Sequence, residues 1–134
     1  DISFEILLNG DRPREGEKFF VFGEELLCYT LFENLLKNAL EASPSQEKIT
    51  VSCVEQETSA IIHIHNQGVI PEQIRARFFD KYVTSGKRTT GTGLGTYSAK
   101  LFAETMGGTI RFETSEQYGT TLIVELPRTR AAHS

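Results

Sequence analysis

Two asparagines, Asn34 and Asn38, stand four residues apart beside a stripe formed by Leu27, Leu31 and Leu35. In a helix that spacing puts them one turn apart on one face. A buried Asn must satisfy two N–H donors and two acceptor lone pairs. Such a pair either bonds a neighbouring loop as structural amides or turns its carbonyl oxygens toward a ligand or a hydrated metal. Mg²⁺ keeps several waters and takes few protein oxygens, so one Asn carbonyl beside substrate phosphates suits it.

The same argument applies on two strands. Asn66 continues the inward row of Ile62 and Ile64, and Thr120 stands in the row of Leu122, Val124 and Leu126. Each is either a strand-end group at the sheet edge or part of a polar cluster with Asn34 and Asn38 at one end of a helix–sheet cleft. His63 and His65 alternate onto the opposite face and read as surface imidazoles. A third feature, Thr89-Thr90-Gly91-Thr92-Gly93-Leu94-Gly95, leads into a helix. Closely spaced glycines let backbone N–H groups approach an anion, and the helix dipole adds to this. The run is equally a flexible hinge. It has neither the spacing of a dinucleotide fingerprint nor the Gly-Lys-Ser/Thr of a P-loop. Lys81, Lys87 and Arg88 lie in the same segment and are either solvated charges or phosphate contacts.

The elements that must hold these residues follow from pattern. The 134 residues, 39% hydrophobic and 24% charged, suit one folded domain. Fourteen Lys and Arg against 18 Asp and Glu give a net charge of -4, a poor match to nucleic acid. No apolar run is long enough to cross a membrane as a helix, and the first residues do not read as a signal peptide. Cys28 and Cys53 make no metal spacing and read as buried thiols, as in a reducing cytoplasm. Phe4 to Leu8 and Lys18 to Phe22 look extended. A helix is expected from Glu24 until Pro44. Two alternating runs follow, around Ile49-Val51-Cys53 and Ile62-Ile64-Asn66, with a turn at Glu55 to Ser59. Pro71 opens a short helix from Glu72 to about Phe79. A second long helix is expected from about Leu94 to Met106, stopped by Gly107-Gly108. Strands Thr109 to Thr114 and Thr120 to Leu126 close the domain, and Arg128 onward reads as a frayed tail. These elements argue for a two-layer α/β sandwich in the α+β class, with a mixed, mostly antiparallel sheet covered by helices on one face.

In order, Leu35 to Ala42, Asn66-Gln67-Gly68-Val69-Ile70-Pro71, Arg77-Phe78-Phe79 to Lys87, and Gly91-Thr92-Gly93-Leu94-Gly95 resemble the N, G1, F and G2 boxes of sensor histidine kinases. Gly119-Thr120 before the last strand and Pro127 also match. The resemblance runs from about Lys18 to Pro127. It implies the Bergerat ATP-binding fold over residues 1–127, a tail over 128–134, and ATP and Mg²⁺ as ligands. By this resemblance Asn38 would hold Mg²⁺, with Asn34 in the pocket one turn earlier. Asn34, Asn38 and Lys87 would be catalytic. Asn66, Gly68, Lys87, Gly91, Thr92, Gly93, Leu94, Gly95 and Thr120 would contact the nucleotide, Thr120 near the adenine. Arg77 to Gly93 would form a lid. One departure stands out: the family's adenine-binding Asp is matched by Asn66, and its second glycine is missing, since Val69 and Ile70 follow Gly68.

The resemblance further implies phosphoryl transfer to a His on an upstream dimerisation domain, then to a response regulator, in a longer kinase whose parent is cytoplasmic or membrane-anchored. The ATPase relatives place a Glu where Asn34 stands; Glu33 points about 100° away around a helix. A nucleotide-binding interaction module on the same fold, either an anti-sigma-like serine kinase or a non-catalytic pseudo-kinase, is the alternative.

Overall fold

A computed structural model describes residues 3–16, 25–42, 48–81 and 95–128. Strand β1 (Ser3–Leu8) is followed by helix α1 (Glu25–Ala42) and by β2 (Lys48–Glu55) and β3 (Ser59–Asn66). A 3-10 turn (Glu72–Arg77), helix α2 (Gly95–Thr105), β4 (Thr109–Ser115) and β5 (Gly119–Pro127) complete the order. The five strands form one sheet in the order β1-β2-β3-β5-β4. β1 and β2 are parallel, which a hairpin cannot connect, and α1 lies within the crossover between them. The remaining pairs are antiparallel.

Helix α1 forms because Leu31, Leu35 and Ala39 recur every four residues, and all three are essentially inaccessible to water. Helix α2 contributes Thr96, Ala99 and Ala103, small side chains that let it lie close to α1. Beneath them β3 buries every second residue, from Ala60 through Ile62 and Ile64 to Asn66. β5 adds Leu122, Val124 and Leu126 to the same core. The two-layer arrangement expected from the alternation is therefore the one formed, with both helices on one face of the sheet.

Three details differ from expectation or extend it. The short helix expected after Pro71 forms as a 3-10 helix over Glu72–Arg77 and ends two residues before Phe79. None of its six residues is buried, so no apolar stripe holds an α-helical face against the core. Phe78 and Phe79 leave it to pack edge-on against each other, and Phe78 also packs on Phe112 at 5.1 Å between ring centres. Arg128, read as the start of a tail, donates to the Gln56 carbonyl and pairs with Glu55 at 3.8 Å. His63 is half-buried on the open face, where Ile123 is only 3% exposed. Ile123 lies in register between His63 and Arg111, whose side chains flank it. The strand expected over Lys18 to Phe22 lies outside the described residues.

Cys28 and Cys53 are free thiols, both partly buried against the core. Burial pushes both thiols above the usual value, so neither is primed as a nucleophile. The Cys28 thiol donates to the Met106 sulfur at 3.5 Å.

Two outcomes follow for stability. Leu35→Ala should cost about 2–5 kcal/mol of unfolding free energy in urea, whereas Leu40→Ala, at a position 41% exposed, should cost less than about 1 kcal/mol. The imidazole of His63 is held below its ordinary 6.5, first by burial and then by Arg111, with Glu113 opposing. The unfolded chain therefore binds the proton more readily than the folded one. The stabilising share of neutral His63 is full above 6.5 and is lost as pH falls through the lower folded value. His63→Gln should flatten the acid limb of a plot of melting temperature against pH; an unchanged limb would rule the effect out.

Candidate functional site

Of the polar residues singled out in the sequence, Asn66 and Thr120 meet at the ends of β3 and β5, where the Gly68 loop touches the end of α1. Asn66 is the last residue of β3, and it pairs in register with Thr120 of β5, which pairs with Thr114 of β4. All three share the core-facing side. Asn66 is 2% exposed and Thr120 is 4% exposed. Buried polar atoms require partners, and two of these residues supply them to each other.

The hydroxyls form a directed chain. The Ile70 amide donates to Thr114 Oγ1 at 3.1 Å, Thr114 and Thr120 share a bond of 2.8 Å, and Thr120 Oγ1 donates to the Gly68 carbonyl at 2.8 Å. A carbonyl only accepts, so the Thr120 proton goes to Gly68 and the Thr114 proton goes to Thr120. Arg75 Nε donates to the Ile70 carbonyl at 2.9 Å. The loop from Gly68 to Ile70 is thus tied to β4, β5 and the 3-10 turn. Ile70 itself is in the core cluster, so the position after Val69 is filled by an apolar anchor rather than a glycine.

Gly68 is fixed by steric exclusion. A Cβ there would lie 2.4 Å from the Ala42 carbonyl oxygen and 2.9 Å from Asn66 Nδ2. The last turn of α1 therefore sits directly against the loop, and only a glycine lets the two backbones approach this closely beside Asn66. Asn66 Nδ2 is buried and has no hydrogen-bond partner among the described residues. An orphaned buried donor costs about 1–3 kcal/mol, which a bound acceptor would recover. Gly119 packs as tightly on the other side, with φ +82 and a would-be Cβ 2.3 Å from the Asn66 carbonyl oxygen.

Asn34 and Asn38 are both half-buried on α1, and Asn38 is one turn before Ala42. Both thus stand on the helix whose last turn meets the Gly68 loop. Glu33, between the buried residues of that stripe, is exposed to solvent. Among the described residues, no group of three His, Cys, Asp or Glu could hold a metal. A metal at this site would have to rely on an amide oxygen, water and ligand oxygens.

Of the second group of residues expected at the site, the structure describes only the margins. Lys87, Gly91, Thr92, Gly93 and Leu94 lie outside the described residues, as does Arg88. Before them, Lys81 places its ammonium 5.1 Å from the centre of the Tyr97 ring. After them, Gly95 opens α2 with nothing within 4 Å of its would-be Cβ. The buried Thr96 hydroxyl donates to the Phe78 carbonyl at 3.0 Å and so brings the two margins together. His65 belongs to neither part. Its Nε2 lies 2.6 Å from the Tyr118 carbonyl and must carry the proton there.

Thr114 and Thr96 were not singled out from the sequence. Both carry the signal that marked Thr120, a hydroxyl in an otherwise apolar row. Thr114 follows Ile110 and Phe112 on the inward side of β4, and Thr96 precedes Ala99 and Ala103 on α2.

This arrangement agrees with a family model described as histidine kinase-, DNA gyrase B- and HSP90-like ATPase, which matches residues 23–130. The chain belongs to this family. Within it, the chain is 33% identical over 100 residues to the sensor protein SrrB of Staphylococcus aureus. That match takes in 71% of the chain but 17% of SrrB, so the chain spans a small part of the curated relative's length. Among solved structures, a mycobacterial sensor histidine kinase, MprB, superposes with a TM-score of 0.77 at 25% identity, over 94% of this chain and 83% of that one. The catalytic domain of the histidine kinase ThkA gives 0.78 at 28% identity, over 97% and 81%. This family member is therefore built as a histidine kinase catalytic domain, and its sequence-level resemblance is matched by its fold.

If the hydroxyl chain holds the loop, Thr120→Val should destabilise the domain by about 1–3 kcal/mol, because the Gly68 carbonyl and the Thr114 hydroxyl both lose a partner. Thr120→Ser should retain most of the stability. Hydrogen exchange at the Ile70 amide should accelerate more in the Val variant than global unfolding explains; equal protection in both variants would show that the chain does not hold the loop.

Proposed function

We propose that this chain is the ATP-binding catalytic domain of a two-component sensor histidine kinase. It binds Mg-ATP and transfers the γ-phosphoryl group to a histidine on an upstream dimerisation domain, from which a response regulator receives it. The observation that carries this reading is the buried amide nitrogen of Asn66, which has no partner among the described residues, at the end of β3 where the Gly68 loop meets the last turn of the helix that bears Asn34 and Asn38. An acceptor-bearing ligand that reached it would satisfy the orphan donor.

In this reading Asn66 takes the base, with Thr120 beside it, and Gly68 lets the loop close against α1. Asn38 offers its carbonyl oxygen to Mg²⁺, with Asn34 one turn earlier. Mg²⁺, when bound, neutralises charge on the phosphates. Lys87 contacts the phosphates, and the glycines from Gly91 to Gly95 approach them with backbone N–H groups. Catalysis is then mainly positioning and charge neutralisation. The exposed position of Glu33 supports transfer over hydrolysis, because no carboxylate on the inner face of α1 is set to activate water. Of the histidines within the described residues, His65 bonds a backbone carbonyl and His63 lies on the open face of the sheet, which supports an acceptor on another domain. Among the described residues no helix is long and apolar enough to cross a membrane. The reading places the domain in the cytoplasm, where ATP and a response regulator are found, without contact to nucleic acid or membrane.

Radiolabelled ATP tests it. The chain alone should acquire no stable label, and it should label an added dimerisation domain that carries an acceptor histidine. Asn38→Ala should keep a native melting curve, lose the Mg²⁺-dependence of ATP binding in calorimetry, and lose transfer. Stable label on the chain itself, or unchanged Mg-ATP binding by Asn38→Ala, would overturn the assignment.

A further inference from the structure

We propose that Asn66 makes the nucleotide site tolerant of 6-oxopurine nucleotides as well as ATP. The proposal rests on the reading of this site as a nucleotide pocket and concerns what sets its base preference. Two observations carry it. The Thr120 hydroxyl is committed as a donor to the Gly68 carbonyl and as an acceptor from Thr114, so it has no proton to offer a base. Asn66 Nδ2, by contrast, is a buried donor with no partner among the described residues. No hydrogen bond among those residues holds the amide in one orientation.

The chemistry follows from the two groups an amide carries. Its carbonyl oxygen accepts and its NH₂ donates, side by side in one plane. The edge of a 6-aminopurine presents a donor at N6 and an acceptor at N1. A 6-oxopurine presents the reverse, an acceptor at O6 and a donor at N1. Rotation of the Asn66 side chain by half a turn exchanges Oδ1 and Nδ2 and so matches either edge. A carboxylate at the same position only accepts. It pairs with the 6-amino group and repels a 6-oxo group, and burial strengthens that repulsion. The amide thus removes the term that would exclude a 6-oxopurine. Gly68 reinforces this, because a side chain there would crowd Nδ2 and restrict its rotation.

Inosine triphosphate is the cleanest probe, since it differs from ATP only at the 6-position and the N1 proton. Calorimetric titration of the chain with each nucleotide in Mg²⁺ should give dissociation constants within about tenfold of each other. Asn66→Asp should weaken inosine triphosphate relative to ATP by about tenfold or more. The wild-type comparison needs no substitution, so it decides the matter even if a buried carboxylate prevents the variant from folding. Binding of ATP with rejection of inosine triphosphate by more than about a hundredfold would overturn this inference and leave the kinase reading intact. So would a folded Asn66→Asp variant that treats both nucleotides as the wild type does. Failure of the chain to bind either nucleotide would overturn the kinase reading and this inference together.

Discussion

The close approach of the Gly68 loop to the last turn of α1 is the constraint on which the site depends. No side chain fits at position 68, because a Cβ would enter both the Ala42 carbonyl and the Asn66 amide. Helix and sheet are therefore brought together here by backbone, not by interdigitating side chains. The geometry brings the last turn of α1 against the loop that follows β3. The Asn66 donor there is buried with no partner among the described residues, a cost that an ordinary core would not retain.

The sandwich separates stability from function along its length. Toward the middle of the sheet, Ile62, Ile64, Leu122 and Val124 meet Leu31 and Leu35 in an apolar core that resembles any other. Toward the ends of β3 and β5 the same inward rows turn polar, at Asn66 and Thr120. Thr114 and Thr120 settle their own valences and lock the loop. Asn66 does not. A fully satisfied polar network rigidifies its surroundings, and Asn66 Nδ2 is the buried side-chain atom left unsatisfied beside it among the described residues. The aromatic contacts of Phe78 with Phe79 and Phe112, together with the Thr96 bond to the Phe78 carbonyl, tie the start of α2 and the residues after the 3-10 turn to the core.

An amide in place of a carboxylate at position 66 changes the charge of this buried position more than its shape. The two side chains have nearly the same volume, so the fold has no steric reason to distinguish them. A carboxylate would bring charge into a position 2% exposed and need a donor to justify it. An amide needs less and offers more, since it both donates and accepts. The filling of position 70 by a buried Ile fits the same picture: the loop is held by packing and by the Thr114 bond to the Ile70 amide.

The sequence by itself determined the layers, the two long helices, the alternation of the strands and the set of anomalous polar residues. Those features depend on local periodicity, and Leu31-Leu35-Ala39 or Ile62-Ile64-Asn66 can be read from spacing alone. The ordered boxes also determined the family, which the match over residues 23–130 bears out. Only the tertiary structure decided which polar residues satisfy one another. Thr114 and Thr120 became partners because β4 and β5 pair in one register, a property of two strands that neither strand encodes singly. The segment after Pro71 likewise winds as a 3-10 helix because none of its residues is buried, and Phe78 beyond it packs on Phe112, more than thirty positions along the chain. The sequence marks Gly68 through its resemblance alone and does not show what forces a glycine there. Its necessity comes from the carbonyl of Ala42, which the fold alone sets against it.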